Sequence, residues 1–288
     1  ALPTFRACSL THDYRLSSTS PAMLEAIAAA ECSPRMPDSA LEPCDLDVED
    51  RFGFIAIRLP DGVEAKGNAL HVVQAWQDFL GRQAGLTHAG QAFVPAASVI
   101  GARGRLLLVG GKRSGRTTLA LDLLMRGYDV EGDTYALVDG RSVIMAPSRF
   151  FAADDIRALV PAVSGLVDAA PKQRGWHGQE ASAIDPSLPD RPWTIRRGVV
   201  AGLVFLEPNL GGASVMGRIS PDAALSRLMA LAMMPEAGVA LAAARLRSLT
   251  IETPAYRMSL GDLESAAWHI GRAMPPAHPA RREETSPP

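Results

Sequence analysis

One glycine-rich stretch carries the clearest chemistry in this sequence. Residues 110–118 read GGKRSGRTT and follow an apolar run that ends at Val109. The spacing fits the phosphate-loop pattern G-x-x-x-x-G-K-[ST], except that arginine replaces the lysine. Glycine lets backbone N–H groups turn toward phosphate oxygens, and the following helix adds its positive N-terminus. The predicted phosphate site comprises Gly110, Gly111, Lys112, Arg113, Ser114, Gly115, Arg116, Thr117 and Thr118.

Three side chains in this stretch have separate predicted roles. In the pattern the hydroxyl ligates Mg²⁺, which predicts Thr117 as a metal ligand for a bound nucleotide such as ATP. Arg116 keeps the positive charge of the missing lysine, but its planar fork is longer than an ammonium group. Lys112 either supplies a compact ammonium or is a solvated loop residue. A strand-to-helix turn that binds no phosphate is the alternative interpretation of the whole stretch.

A carboxylate follows at the start of a predicted strand. Asp133 lies in VEGDTYALV, residues 130–138. It is a candidate to hold Mg²⁺, directly or through water, and to accept the proton of a substrate hydroxyl. The alternative is an aspartate that caps the turn before the strand. Glu131 is expected to be solvated.

Alternating strands and helices must position these groups. Residues 105–109 form a continuous apolar run, typical of a strand covered on both faces. A capping serine followed by Pro221 opens another helix, of about ten residues. Residues 146–196 are expected to be irregular. The other predicted elements are strands 93–100, 128–130, 135–138, 142–145 and 199–206 and helix 117–125.

The pattern divides the chain into three parts. Residues 1–90 predict a small α+β domain with strands near 14–16 and 52–59 and helices at 22–30 and 70–83. Trp76 and Phe79 lie on the apolar face of the second helix and are expected in the core. Residues 91–274 form the α/β phosphate-loop domain. The Pro-rich tail 275–288 is expected to be disordered.

Composition excludes several classes of partner. The formal net charge is −2, from 29 basic and 31 acidic residues, which argues against a polybasic nucleic-acid or membrane-surface binder. The most apolar region, 225–246, is interrupted by charges and proline, so no segment is expected to span a membrane. The cysteines and histidines lack metal-ligand spacing, so no zinc site is predicted. With no signal-peptide pattern, a cytoplasmic protein is expected.

The residues from Phe93 to Gly140 resemble the kinase domain of HPr kinase/phosphorylase and the smaller HPr-kinase-related proteins. These proteins share the nucleotide site of phosphoenolpyruvate carboxykinase. The resemblance rests on GGKRSGRTT, LALDLLMRGYDV and GDTYALVDG, and continues in GVVAGLVFLEP, ISPDAALSRLMA and TPAYRMSLGD. Three positions depart from the family pattern: Arg116 replaces lysine, Asp133 stands alone where relatives have an acidic pair, and Pro95 occupies the place of a histidine.

The resemblance implies an α/β fold with a phosphate loop on a mixed sheet and a small N-terminal α+β domain. It implies transfer of the ATP γ-phosphoryl group to a Ser or Thr hydroxyl of a protein or peptide, with Mg²⁺ and possible homo-oligomers. Thr117 would ligate Mg²⁺, Gly115 would cradle the β-phosphate, Arg116 with Lys112 would balance charge, and Asp133 would be base and metal ligand. A catalytically weak nucleotide- or peptide-binding relative is the alternative, and a carboxykinase-like enzyme for a small acid is a weaker third.

Two further basic stretches are open to both functional and structural interpretations. The polar stretch 172–180 could bind an acceptor through Lys172, Arg174 and His177, or it is a solvated loop. Arg196 and Arg197 could contact a phosphate or simply flank a sheet edge.

Overall fold

The computed structural model describes residues 4–8, 13–18, 34, 44–51, 54–59, 62–67, 69–174, 180–209 and 211–279. The chain divides into two compact units, residues 1–34 with 38–89 and residues 35–37 with 90–288. The helix predicted over 22–30 lies outside the described residues.

The first unit is a five-stranded sheet with one helix. Its strands pair in chain order, with β2 and β3 parallel and the other neighbours antiparallel. Helix α1 packs against β4 and β5. Trp76 and Phe79 are buried with their rings stacked 5.8 Å apart, which confirms the predicted core. The elements are β1 Thr4–Cys8, β2 Asp13–Ser18, β3 Cys44–Arg51, β4 Phe54–Arg58, β5 Glu64–Gly67 and α1 Ala69–Thr87.

The second unit is a mixed α/β structure with two sheets. The large sheet contains β6 Ala92–Gly101, β7 Gly104–Val109, β8 Asp129–Gly132, β9 Tyr135–Asp139, β10 Ser142–Met145, β14 Gly198–Pro208, β15 Val215–Ile219 and β16 Ala255–Leu260. The small sheet contains β11 Phe150–Ala152, β12 Lys172–Arg174 and β13 Glu180–Ile184. The helices are α2 Arg116–Met125, α3 Ile156–Leu159, α4 Ser164–Ala169, α5 Pro221–Leu231, α6 Val239–Glu252 and α7 Leu263–Ala273.

The large sheet is mixed in direction and partly closed on itself. Its strand order is β10-β9-β6-β7-β14-β16-β15, and β8 pairs with the same edge of β6 as β9 does. Strands β7, β14 and β16 are parallel, whereas β6 is antiparallel to β7 and to β8. The carboxyl ends of β7, β8, β14 and β16 therefore meet at one edge. Because β10 also pairs with β14, five strands (β6, β7, β14, β10 and β9) close into a ring.

Strand β7 lies at the centre of this unit, as its apolar run predicts. Residues 105–109 are all buried. Leu106 and Leu108 belong to a core cluster that also contains Leu119 and Leu123 of α2 and Ile270 of α7. Helix α6 packs against β6 and β9, and α5 packs against β6 and β16. The helix that carries the glycine-rich loop is thus fixed by its apolar face against the sheet.

Two regions differ from the sequence prediction. Residues 146–196 are not irregular throughout, since they contain β11, β12, β13, α3 and α4, elements of three to six residues that are too short to show a periodicity. The tail predicted to be disordered from residue 275 packs as far as 279, where the His278 N–H donates to Gly127 O and Pro276 bridges to Gly101. Residues 280–288 lie outside the described chain. No helix of the described part is long and apolar enough to cross a membrane.

Candidate functional site

The glycine-rich loop connects β7 to α2 at the edge where the parallel strands end. Gly115 has a left-handed backbone with φ +86°, and Arg113 has φ +64°. A Cβ atom on Gly110 would lie 2.4 Å from Ser114 Oγ, and one on Gly115 would lie 2.5 Å from Leu260 Cδ2. The tight turn therefore requires glycine at both ends of the loop.

The start of α2 leaves backbone donors available at the end of the loop. Helix α2 begins at Arg116, and its first N–H groups have no partners within the helix. Gly115 has no side chain to cap them, and no acidic residue lies in the first turn. Such an N-terminus attracts an anion because its N–H groups and the helix dipole both carry positive charge.

Ser114 gives independent evidence for a ligand. Its side chain is buried with 5% exposed. Its N–H donates to Gly111 O, but its Oγ has no hydrogen-bond partner among the residues that the structure describes. A buried hydroxyl without a partner costs about 1–3 kcal/mol, so its place in this loop is explained best by a bound group that completes the bond.

Asp133 and Thr117 meet directly beside the loop. Thr117 Oγ1 donates a hydrogen bond of 2.5 Å to Asp133 Oδ2. Asp133 follows β8 at the same sheet edge, and its side chain is only 6% exposed. Burial raises the pKa of Asp133 to about 6, and the Thr117 hydroxyl and the Arg116 guanidinium oppose that rise. The two residues predicted to hold Mg²⁺ are thus brought together.

Arg116 lies beside the same carboxylate. Its guanidinium donates to Thr134 O over 3.2 Å. Burial lowers the pKa of Arg116, and the charge of Asp133 opposes that change. Arginine nevertheless stays cationic at any physiological pH, so Arg116 places a permanent positive charge at the start of α2.

The remaining loop residues line its outer side. Lys112 and Arg113 are exposed, whereas Thr118 is half-buried in the first turn of α2. Pro95 accepts the Gly110 N–H through its carbonyl over 3.2 Å. It also pairs with Tyr135 across β6 and β9.

The prediction for Glu131 is wrong. The side chain is 1% exposed and accepts hydrogen bonds from Arg105 at 2.8 Å, Ser98 at 2.7 Å and the Arg196 N–H at 3.0 Å. Its backbone carbonyl accepts from Trp193 Nε1. Strand β8 has only four residues and is buried at three consecutive positions, so its sequence shows no alternation from which the burial of Glu131 could be predicted.

A cluster of three charged residues, on the side of the loop away from Asp133, was not predicted from the sequence. Arg227 Nη1 lies 2.5 Å from Glu207 Oε1, and Arg257 Nε lies 3.9 Å from Glu207 Oε2. The sequence signal was the same as for Asp133, a carboxylate where a buried strand reaches the loop edge. We refer to these three residues as the arginine cluster.

The other candidate residues are only partly brought to the site. In stretch 172–180, residues 175–179 lie outside the described chain, and Lys172 pairs with Asp154. The backbone of Arg196 joins the Glu131 network, and its side chain is exposed. No group of three or more His, Cys, Asp or Glu residues that could hold a metal ion occurs in the described ranges.

The donor set nevertheless fits a magnesium ion that arrives with phosphates. Mg²⁺ binds hard oxygen ligands and is usually held by one or two carboxylates together with substrate phosphates. The Thr117 hydroxyl and Asp133 carboxylate are such oxygens and are already in contact. A scan against models of known protein families and a search of curated proteins gave no match to this chain.

Proposed function

We propose that the protein binds Mg·ATP at the loop of residues 110–118 and transfers the γ-phosphoryl group to a Ser or Thr hydroxyl of a protein or peptide. The observation that carries the proposal is the contact between Thr117 and Asp133 beside a helix N-terminus whose first turn contains no acidic residue. The unpartnered Ser114 hydroxyl supports it. The proposed fold is that of the HPr-kinase-related proteins, whose loop and strand motifs the sequence resembles.

Several groups of the loop would bind the phosphates together. The N–H groups at the start of α2 donate to phosphate oxygens, and the Ser114 hydroxyl supplies one more donor. Arg116 balances the negative charge from within the first turn, and Lys112 does so from the exposed side. Thr117 and Asp133 would hold Mg²⁺, which when bound neutralises charge on the transferred group.

In this proposal Asp133 would act as the general base. In the proposed transfer, the acceptor hydroxyl oxygen bonds to the γ-phosphorus while the bond from phosphorus to ADP breaks. The proton of the hydroxyl passes to a carboxylate oxygen of Asp133. In the chain without bound metal, burial raises the pKa of Asp133 to about 6, so its carboxylate is ionised at neutral pH and able to accept a proton.

A second candidate function is nucleotide binding without transfer. The observation that favours it is the hydrogen bond from Arg116 to Thr134 O, because a guanidinium held by the backbone is less able to follow a moving phosphoryl group. In that case the protein would act through partner recognition. Because either function would draw on ATP, we also propose a cytoplasmic location.

Calorimetric titration with Mg·ATP tests the proposal. We expect binding by the wild-type chain and a dissociation constant at least about tenfold higher for Asp133→Ala and Thr117→Val, since each removes an oxygen ligand. Asp155→Asn is the matched control because Asp155 is exposed and lies outside the site. Absence of binding by the wild-type protein would refute both candidate functions, and binding without phosphate transfer to peptides would favour the second.

A further inference from the structure

The arginine cluster flanks the phosphate loop on the side away from Asp133. Strand order places β7 between β6 and β14, with Asp133 beyond β6 and Glu207 on β14. Phe205 pairs in register with Val109, the last residue of β7, so Glu207 lies two residues further toward the loop. The two carboxylates therefore stand on opposite sides of one loop.

Arg227 and Glu207 form the shorter ion pair of the arginine cluster, and both lie close to residues that approach the glycine-rich loop. A Cβ on Gly111 would lie 3.8 Å from Cδ2 of Leu231, so the end of α5 touches the loop. Arg227 precedes Leu231 by four residues and shares its helix face, roughly 6 Å along the axis. Leu206 O would lie 3.5 Å from a Cβ on Gly110, and Glu207 is the next residue.

The cluster has unused capacity to bind an anion. Two guanidinium groups face one carboxylate, which leaves a net charge of +1. Within the described part of the chain, the only other contact of either arginine is that of Arg227 with the Phe205 ring, 6.0 Å from Cζ to the centroid. Arg227 is 35% and Arg257 56% exposed, so a second substrate can reach both. Each guanidinium has five N–H donors in a geometry suited to carboxylates.

We infer that the arginine cluster is the acceptor subsite, and that it binds a carboxylate of an acidic peptide whose hydroxyl receives the phosphoryl group. This inference rests on the proposed function. The nucleotide phosphates already have the α2 N-terminus, Arg116 and Ser114. The half-exposed arginines suit a substrate that enters and leaves from solvent.

Fluorescence anisotropy with two peptide pools in the presence of Mg·ADP tests the inference without requiring phosphate transfer. Both pools have a central serine, flanked by Asp and Glu in one and by Asn and Gln in the other. We expect the acidic pool to bind about tenfold more tightly, as for charge-assisted hydrogen bonds. Arg227→Gln and Arg257→Gln should each remove most of that preference, whereas Arg247→Gln, an exposed arginine of α6, should keep it.

The variant Glu207→Gln distinguishes a loss of peptide binding at the subsite from a loss caused by misfolding. Removing the internal carboxylate frees both guanidinium groups, so acidic peptides should bind more tightly than to the wild type, a gain that misfolding cannot produce. Equal binding of both pools by the wild type would overturn the inference. So would Arg227→Gln weakening Mg·ATP in calorimetry while leaving peptide binding intact, since the arginines would then serve the nucleotide phosphate. If the wild-type protein does not bind Mg·ATP, the proposed function is refuted, and the subsite with it.

Discussion

Two carboxylates only two residues apart, Glu131 and Asp133, are both buried but are compensated very differently. Glu131 faces an arginine, a serine hydroxyl and a backbone N–H, all within 3.0 Å. Asp133 has the Thr117 hydroxyl, while the nearby Arg116 gives its N–H to Thr134 O instead. Burial raises the pKa of both carboxyl groups. Removing a partner from a well-compensated buried charge is costly, whereas a buried charge with few partners is typical of a functional site.

Breaking the ion pair between Arg105 and Glu131 should have the largest effect on stability. Arg105→Met leaves the Glu131 carboxylate buried without its counter-charge, so we expect the free energy of unfolding to fall by about 3–5 kcal/mol. Urea denaturation measures the change. Arg103→Met, an exposed arginine two residues earlier, should change stability little. A loss of similar size in both variants would show that the ion pair is not the cause.

Replacing Asp133, the buried carboxylate with few partners, should instead raise the free energy of unfolding. The pKa of Asp133 is about 6 in the folded chain and near 3.8 when unfolded, so the folded state binds the proton more tightly. Its ionised form therefore destabilises the fold above pH 6, and this penalty disappears as the pH falls toward 4. We expect Asp133→Asn to be about 2 kcal/mol more stable than wild type at pH 7.5, with little difference near pH 4. A stability difference independent of pH would contradict this assignment.

The same titration should appear in ligand binding. Mg·ATP needs the ionised carboxylate, so its dissociation constant should rise as the pH falls through 6, by up to about tenfold per unit from this group. Calorimetry from pH 8 to 5 measures the rise, and Asp133→Asn provides the baseline for protonation of the nucleotide itself. Parallel curves for the two proteins would exclude Asp133 as a ligand.

The exchange of Arg116 for lysine should have the smallest effect. A compact ammonium fits the phosphate-loop pattern and would no longer hold Thr134 O in the same way. We expect about threefold tighter binding of Mg·ATP, and higher phosphate transfer if the protein is a weakened kinase. Unchanged transfer together with unchanged binding would favour the second candidate function. Arg103→Lys is the matched control.

The sequence predicted those parts of the fold that long, regular patterns encode. The apolar run of β7, the glycine spacing and the serine cap before α5 all appear in the structure, the last as Ser220 Oγ accepting the Ala223 N–H. It could not predict which of Glu131 and Asp133 meets a distant arginine, because Arg105 lies 26 residues away in the chain. The arginine cluster depends likewise on α5 and β16 converging on the end of β14.

The closure of β6, β7, β14, β10 and β9 into a ring bears on how fast each part of the molecule opens. Each strand of the closed ring has a neighbour on both edges, so the end of one strand cannot open without breaking hydrogen bonds to its neighbours. The amide protons of β7 and β14 should therefore exchange slowest with solvent. The glycine-rich loop starts from β7, one of these two strands. The Gly110 N–H still donates to Pro95 O, so we expect protection from exchange to fall sharply after Gly110, and loop motion to begin at that fixed hinge.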